Sequence, residues 1–287
     1  MKLPELDYAC PTSLADAIHL LGVSDAKILA GGQSLMPMMA YRLATPSLLV
    51  DIGRIPGLDD IIIDETGVRL GARVRWCDIE GDARLDLAHP LLREGVGHIG
   101  HYQIRNRGTV GGSLAHADPA AELPAIVLAC DADIVVAGAD GERVIPAEQF
   151  LVGPLETALR TTDIITEINL PAWPATRRYA FAEMSRRRGD FALAGVCLWF
   201  DLDRTGCVAD ARIVGFGATE MPVRLVEAEA FLRGRQPDAA ACVRAAEIAG
   251  EGIMPVGDIH AAPAYRWSLF ITLVERALLQ AASRCQP

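Results

Sequence analysis

Two short stretches of this chain join glycines to a small polar residue: Ala30-Gly31-Gly32-Gln33-Ser34 and Thr109-Val110-Gly111-Gly112-Ser113. Glycine carries no Cβ, so a ligand can approach the backbone closely. Consecutive N–H groups can then converge on an anion, and the hydroxyl adds one more donor. Each stretch follows residues that read as extended and opens onto an apolar run able to begin a helix. One such turn is as compatible with an ordinary loop as with a phosphate site. Two of them suggest a diphosphate gripped from two sides, with Arg105 and Arg107 as nearby cations.

Other constellations give way to simpler readings. Gly95-Val96-Gly97-His98-Ile99-Gly100 matches G-x-G-x-x-G, yet Leu91-Leu92-Arg93-Glu94 before it reads as the end of a helix, which favours a helix cap over a dinucleotide fingerprint. Gly111-Gly112-Ser113-Leu114-Ala115 departs from a nucleophile elbow at its last position, and His116 is too near in sequence for a triad partner. His98, His101 and His116 with Asp118 and Glu122 are a conceivable metal set, but Gly100 interrupts the first pair, and loop histidines with hydrogen bonds are the simpler reading. Arg186-Arg187-Arg188-Gly189-Asp190 is either a solvated turn or a docking point for an acidic partner or a cofactor phosphate. Phe191 is either a core aromatic or a contact for a planar ligand.

The chain has 287 residues, 51% of them apolar and 22% charged, which suits two modest domains and argues against disorder. A net charge of −10 argues against nucleic acid or an anionic membrane as the main partner, and makes local backbone dipoles the means of holding a phosphate. The N-terminus carries no signal or transit pattern, and the apolar run at residues 192–200 stops at Asp201, short of a membrane span. A soluble, cytoplasmic protein is expected. The seven cysteines are scattered and include no C-x-x-C pair, so a disulfide framework, a zinc site and an iron–sulfur cluster bound by this chain are disfavoured, and the thiols are expected to be buried small residues.

These turns need elements to position them. Residues 13–21 predict a helix capped by Ser13, 27–30 a strand into the first turn, 35–43 a short helix and 47–52 a strand. Residues 61–63 and 68–70 predict one hairpin, and 133–137 with 143–145 a second. Helices are expected at 76–82, 90–99 and 123–131, and a strand at 163–170. Residues 104–110 lead into the second glycine turn. Residues 171–176, with two prolines, are the best linker. Beyond it, strands at 179–185, 196–203 and 208–216 precede helices at 225–232, 238–251 and 263–282.

The residues from Ile28 to Pro37, followed by Asp51-Ile52, resemble the first FAD-binding motif of the medium, flavin-carrying subunits of molybdenum hydroxylases. That family includes carbon monoxide dehydrogenase medium subunits and the flavin domain of xanthine dehydrogenase. Residues 103–122 resemble its second motif, and Arg187-Arg188-Gly189-Asp190-Phe191-Ala192 a third, in the family's order and over essentially the whole chain. The resemblance implies an α+β fold. Its FAD-binding domain, of the vanillyl-alcohol-oxidase (PCMH) type, would occupy residues 1–175, with subdomains at about 1–55 and 56–175. A C-terminal domain at 176–287 would hold a three-stranded antiparallel sheet and helices.

The same resemblance implies FAD contacts at Leu29, Ala30, Gly31, Gly32, Gln33, Ser34, Leu35 and Ile52. It adds Thr109, Val110, Gly111, Gly112, Ser113, His116, Ala117, Asp118 and Glu122, then Asp190 and Phe191 toward the isoalloxazine. The pyrophosphate would lie between the turns, on N–H groups of Gly31 to Ser34 and of Thr109 to Ser113. Two positions depart from the family's pattern: Glu122 stands where aspartate is usual, and Phe191 where some relatives have tyrosine. No catalytic residue and no metal ligand is assigned to this chain.

A small partner subunit with two [2Fe–2S] clusters and a large one with the molybdenum cofactor are implied, in a heterotrimer or its dimer. Electrons would pass from the clusters to FAD and on to an external acceptor. Two other readings stay open: a self-contained FAD oxidase or dehydrogenase with its own substrate site, and a scaffold subunit that has lost flavin.

Overall fold

The computed structural model describes residues 3–23 and 25–284. The chain opens with β1 (Asp7–Ala9), a helix at Leu14–Leu21, β2 (Ala26–Leu29), a helix at Leu35–Ala40 and β3 (Leu48–Asp51), and the three strands form a parallel sheet in the order β1-β3-β2. The Ser13 hydroxyl caps the first helix by accepting the Asp16 N–H at 3.1 Å. That helix buries Ala17 and Leu21 against Ala26, Val50 and Ile52. In the second helix Pro37 falls within the first turn, where a missing N–H costs no helical bond.

The second sheet is antiparallel, in the order β4-β5-β10-β6-β7. It comprises β4 (Ile61–Asp64), β5 (Gly67–Gly71), β6 (Asp133–Gly138), β7 (Gly141–Pro146) and β10 (Ile164–Pro171), with β8 (Leu151–Gly153) and β9 (Glu156–Thr157) as a small separate pair. Both expected hairpins are present. Between β5 and β6 run short helices, among them Trp76–Gly81, Pro90–Val96, Tyr102–Arg105, Val110–His116 and Glu122–Ala129.

The C-terminal sheet has three long antiparallel strands, β11 (Arg178–Ser185), β12 (Ala192–Leu202) and β13 (Val208–Phe216), with the two-residue β14 (Val223–Arg224) at its edge. Helices Val226–Leu232, Ala239–Glu251 and Pro263–Ser283 cover one face, with Leu198, Phe200, Ile213, Phe270 and Val274 among the core residues between. The other face contributes Phe181, Cys197, Trp199 and Phe216 to the core of the second sheet and its helices. Burying each such aromatic side chain contributes roughly 1.5–3 kcal/mol, so the seam between the two parts is a hydrophobic core. The Trp199 indole N–H also donates to the Ala129 carbonyl across it, at 2.6 Å.

Four expectations change. β12 begins at Ala192 rather than Val196, because residues 192–200 are buried on both faces and Gly195 leaves room for the Phe216 ring. The second glycine turn follows the helical turn Tyr102–Arg105, not a strand; only Thr109 is extended, bridged to Arg75. The linker is pinned: Pro171 pairs with Gly67, Trp173 packs on His89 and Tyr179, and Arg177 lies over Trp173 and Trp199 while pairing with Asp201 at 2.8 Å. Cys130, Cys197 and Cys242 are buried, but Cys10, Cys77 and Cys207 are partly exposed, since they follow an edge strand, open a helix and sit in a turn. Cys285 lies outside the described residues.

Candidate functional site

β2 delivers the chain to Ala30, and the helix at Leu35–Ala40 carries it away, so the first glycine turn is a strand–turn–helix junction. Gly32 has φ +70°, a left-handed conformation that favours glycine. Gly31 is needed for a different reason. A Cβ there would meet the Arg107 carbonyl and the Cα of Gly108, so the first turn lies directly on the chain that enters the second. A Cβ on Gly112 would in turn lie 3.9 Å from the Cβ of Ala30. Residues distant in sequence are thus brought together by backbone contact alone.

The two turns are unequal as donors. Among the described residues, the backbone N–H groups of Gly31, Gly32, Gln33 and Ser34 donate to no protein acceptor. The Gln33 side-chain amide donates to the Gly31 carbonyl at 3.1 Å, and Ser34 caps nothing. In the second turn the N–H groups are engaged: Val110 with the Val74 carbonyl at 3.0 Å, Gly111 with Ala72 at 2.9 Å, Gly112 with the Thr109 hydroxyl at 3.2 Å, and Ser113 with the Thr109 carbonyl at 3.0 Å. Only the Thr109 N–H remains without a protein acceptor there. Gly111 is a packing glycine, because its Cβ would lie 2.6 Å from that of Ala72.

A cleft of about 440 Å³ is lined by Leu29, Gly31, Gly32, Gln33, Met36, Pro37 and Arg107. Of the two expected cations, only Arg107 faces it. Arg105 is held elsewhere, by Glu80 at 2.8 Å and by the Ile99 and Gly100 carbonyls. The guanidinium of Arg107 makes no ion pair among the described residues. Free N–H groups of the first turn and one cation form a locally positive pocket that suits an anion. Met36 and Pro37 were not singled out from sequence, although the first turn of a helix after a glycine turn is where such a wall belongs.

The remaining expected residues lie outside the lining of this cleft. Ile52 is buried beneath the first sheet, and Leu35 opens the helix after the first turn. Ser113 and His116 lie on the helix Val110–His116, which Ala117 ends in a left-handed conformation. The Asp118 carboxylate accepts the Ala120 N–H at 2.8 Å, and the Pro119 carbonyl accepts the Gly217 N–H at 3.0 Å, fastening this loop to the end of β13. Glu122 is 7% exposed. Burial, reinforced by the charge of Asp118, pushes its carboxyl up to about 7.

Asp190 and Phe191 do not line this cleft. Asp190 pairs with Arg186 at 3.8 Å, and Phe191 is 65% exposed, so it is no core residue. A Cβ on Gly189 would strike the His101 ring and the Gly100 carbonyl. The turn Tyr102–Arg105 therefore links the loop at 186–191, at its His101 end, to the first glycine turn at its Arg107 end. The histidines do not converge: His101 faces Gly189, and His98 packs on Phe181. Gly95 lies inside the helix Pro90–Val96 and Gly97 caps it, as the helix reading expects.

Fold and site together define a flavoprotein subunit. Residues 4–173 match the family described as the FAD binding domain in molybdopterin dehydrogenase, and residues 179–281 match the CO dehydrogenase flavoprotein C-terminal domain. The chain belongs to this family and is the medium, FAD-binding subunit of a molybdenum-hydroxylase-type oxidoreductase. It is 40% identical over 289 residues to the 6-hydroxypseudooxynicotine dehydrogenase complex subunit alpha of Paenarthrobacter nicotinovorans, covering 100% of this chain and 98% of the relative. The nicotine 6-hydroxylase medium subunit of the same organism is 38% identical, with coverage of 99% and 100%. In structure, the chain is similar to a chain of carbon monoxide dehydrogenase from Hydrogenophaga pseudoflava, with a TM-score of 0.96 at 36% identity, covering 99% of this chain and 100% of that one. Among the described residues no helix is long and apolar enough to cross a membrane.

Proposed function

We propose that this chain holds FAD and relays electrons within a heterotrimer or its dimer, in the cytoplasm, with small and large partner subunits carrying two [2Fe–2S] clusters and the molybdenum cofactor. The observation that carries the binding mode is the row of four unengaged N–H groups on Gly31 to Ser34, set against Arg107 and the second turn. On this reading the first turn supplies the backbone donors for the pyrophosphate. The second adds the Thr109 N–H, the Ser113 hydroxyl and the wall against which the first turn is held. His116, Ala117, Asp118 and Glu122 continue the site toward the C-terminal sheet, and Asp190 and Phe191 border its ring end. FAD, when bound, supplies a redox centre that takes electrons singly and releases them to an external acceptor.

The rest of this chain's task is positional: to orient the cofactor and to set the polarity around it. We also place the division between the domains at 175/176, with the subdomain boundary near residue 55. The native complex should contain flavin, iron–sulfur and molybdenum in fixed ratio, read by absorbance and metal analysis. The isolated chain should bind FAD and oxidise no substrate of the complex. Substrate turnover by the isolated chain would replace this reading with a self-contained flavoenzyme.

A further inference from the structure

The helix Pro263–Ser283 buries a stripe that includes Phe270, Val274, Ala277 and Ala281, and the first residue of that stripe is an arginine. Arg266 is 5% exposed. A buried guanidinium is costly unless its donors are met, and its planar fork suits several acceptors at once. Three segments meet it here. One terminal nitrogen donates to the Leu193 carbonyl at 2.8 Å and to the Gly217 carbonyl at 2.5 Å, and the other donates to the Asp258 carboxylate at 2.6 Å. Nε is buried without a hydrogen-bond partner, so the grip is through the two terminal nitrogens.

Both carbonyls belong to segments that lead to the ring end of the proposed FAD site. Ser185 pairs with Ala192 and Met184 with Ala194, so Leu193 is a bulge, shortly after Phe191. Gly217 follows β13 in a left-handed conformation, with φ +75°. A Cβ there would lie 3.0 Å from both the Cβ and the carbonyl oxygen of Ala192, so Gly217 rests on the residue that follows Phe191. Its N–H donates to the carbonyl of Pro119, the neighbour of Asp118, at 3.0 Å. Two segments distant in sequence thus meet at Gly217, and Arg266 holds that glycine together with Leu193. Asp258 is itself fixed, because its carboxylate accepts the His260 and Ala261 N–H groups at 2.8 and 3.0 Å.

We propose that Arg266 is a positioning residue for the flavin-ring end of the site, where it locks residues 190–193 against the loop at 117–121 through Gly217. The inference rests on the proposed placement of Asp118, Asp190 and Phe191 beside the ring. Neither Arg266 nor any of its acceptors lines the cleft at the first glycine turn. Loss of the guanidinium leaves the carbonyls of two buried residues, Leu193 and Gly217, without their donor and loosens the junction, while the first turn and Arg107 keep their surroundings.

The test compares FAD with ADP, which carries the pyrophosphate but no flavin ring. Both are titrated by calorimetry into the full chain freed of flavin, with Tm recorded so that folded variants are compared. In Arg266→Met the FAD Kd should rise about tenfold while the ADP Kd stays within about twofold. Arg266→Lys keeps the charge and a donor but not the fork, so its FAD Kd should rise by about three- to fivefold, again with ADP unmoved. Where Arg266→Met does not fold, Arg266→Lys decides by the same ratio. Equal losses of FAD and ADP affinity would mark Arg266 as a structural residue only, and unchanged FAD affinity would mark it as idle; either result overturns the proposal. If the native chain binds no FAD, the FAD reading itself fails and the proposal falls with it.

Discussion

Gly31→Ala tests the contact that joins the two turns. The added methyl would sit 2.9 Å from both the carbonyl carbon of Arg107 and the Cα of Gly108, with the Arg107 oxygen nearer still. All three are backbone atoms, so no rotamer change relieves the clash. Restoring van der Waals separation from that oxygen requires the turns to part by about 1–1.3 Å. Overpacking of this kind costs about 1–3 kcal/mol, which is a loss of roughly 5- to 150-fold in FAD affinity where the cost falls on the bound state. Gly32→Ala provides a comparison. Its φ of +70° brings a strain of about 1–2 kcal/mol, but its new neighbours are the Met36 and Leu29 side chains, which can move. Gly81→Ala, in open space on a helix, is the control and should be neutral or slightly stabilising. FAD titration and Tm measured on all three should give Gly31→Ala the largest loss of affinity. Native affinity together with native Tm in Gly31→Ala would refute the claim that backbone contact between the turns builds the site.

Three further substitutions probe what holds the site in place. Thr109→Val removes the acceptor for the Gly112 N–H and should cost about 1 kcal/mol, a Tm loss of about 2–4 °C, with Thr109→Ser restoring it. Asp163→Asn breaks a buried acceptor for Arg143 and the Arg160 N–H and should cost about 2–3 kcal/mol in denaturant unfolding near neutral pH. Burial opposes ionisation of Asp163, but Arg143 and the Arg160 N–H together outweigh it and hold the carboxyl below 3.8, so the native advantage should shrink as acid protonates it. Burial likewise opposes ionisation of Asp258, and the His260 N–H, the Arg266 guanidinium and the Ala261 N–H together bring it down to about 2. Its contribution is present above the ordinary carboxylate range and is lost as pH falls toward 2. Asp258→Asn should therefore lower Tm by about 2–4 °C at pH 7, with the difference from the native chain mostly gone by about pH 2.

Much of the architecture was legible because local chemistry and burial agree. Ser13 before an apolar-periodic run, glycines closing both hairpins and strand patterns followed by helical ones each predicted the element that formed. The first glycine turn was readable for the same reason, since strand, turn and helix all lie within residues 26–40. What escaped depends on contacts distant in sequence. Gly195 reads as an ordinary break in an apolar run until Phe216 is packed over it. Arg105 and Arg107 look interchangeable, and only Glu80 together with the Ile99 and Gly100 carbonyls distinguishes the held cation from the free one.

The inequality of the two turns follows from their entry segments. The first is entered from β2, which leaves the sheet at Leu29, so the next N–H groups have no strand to pair with and no helical carbonyl yet within reach. The second runs beside residues 72–76, so Val110 and Gly111 find carbonyl partners before the helix begins, and the Thr109 side chain takes Gly112. Similar sequences thus separate into a donor and a support. The support still needs its glycines, since Gly108 is packed against the Trp76 indole and Gly111 against Ala72. Gly31 of the first turn admits the protein's own chain, as Gly108 and Gly111 do beside the second, while Gly32 supplies the left-handed backbone of the first. For that reason a pair of glycine turns is stronger evidence for a cofactor site than either turn alone, although only one of them supplies most of the free donors.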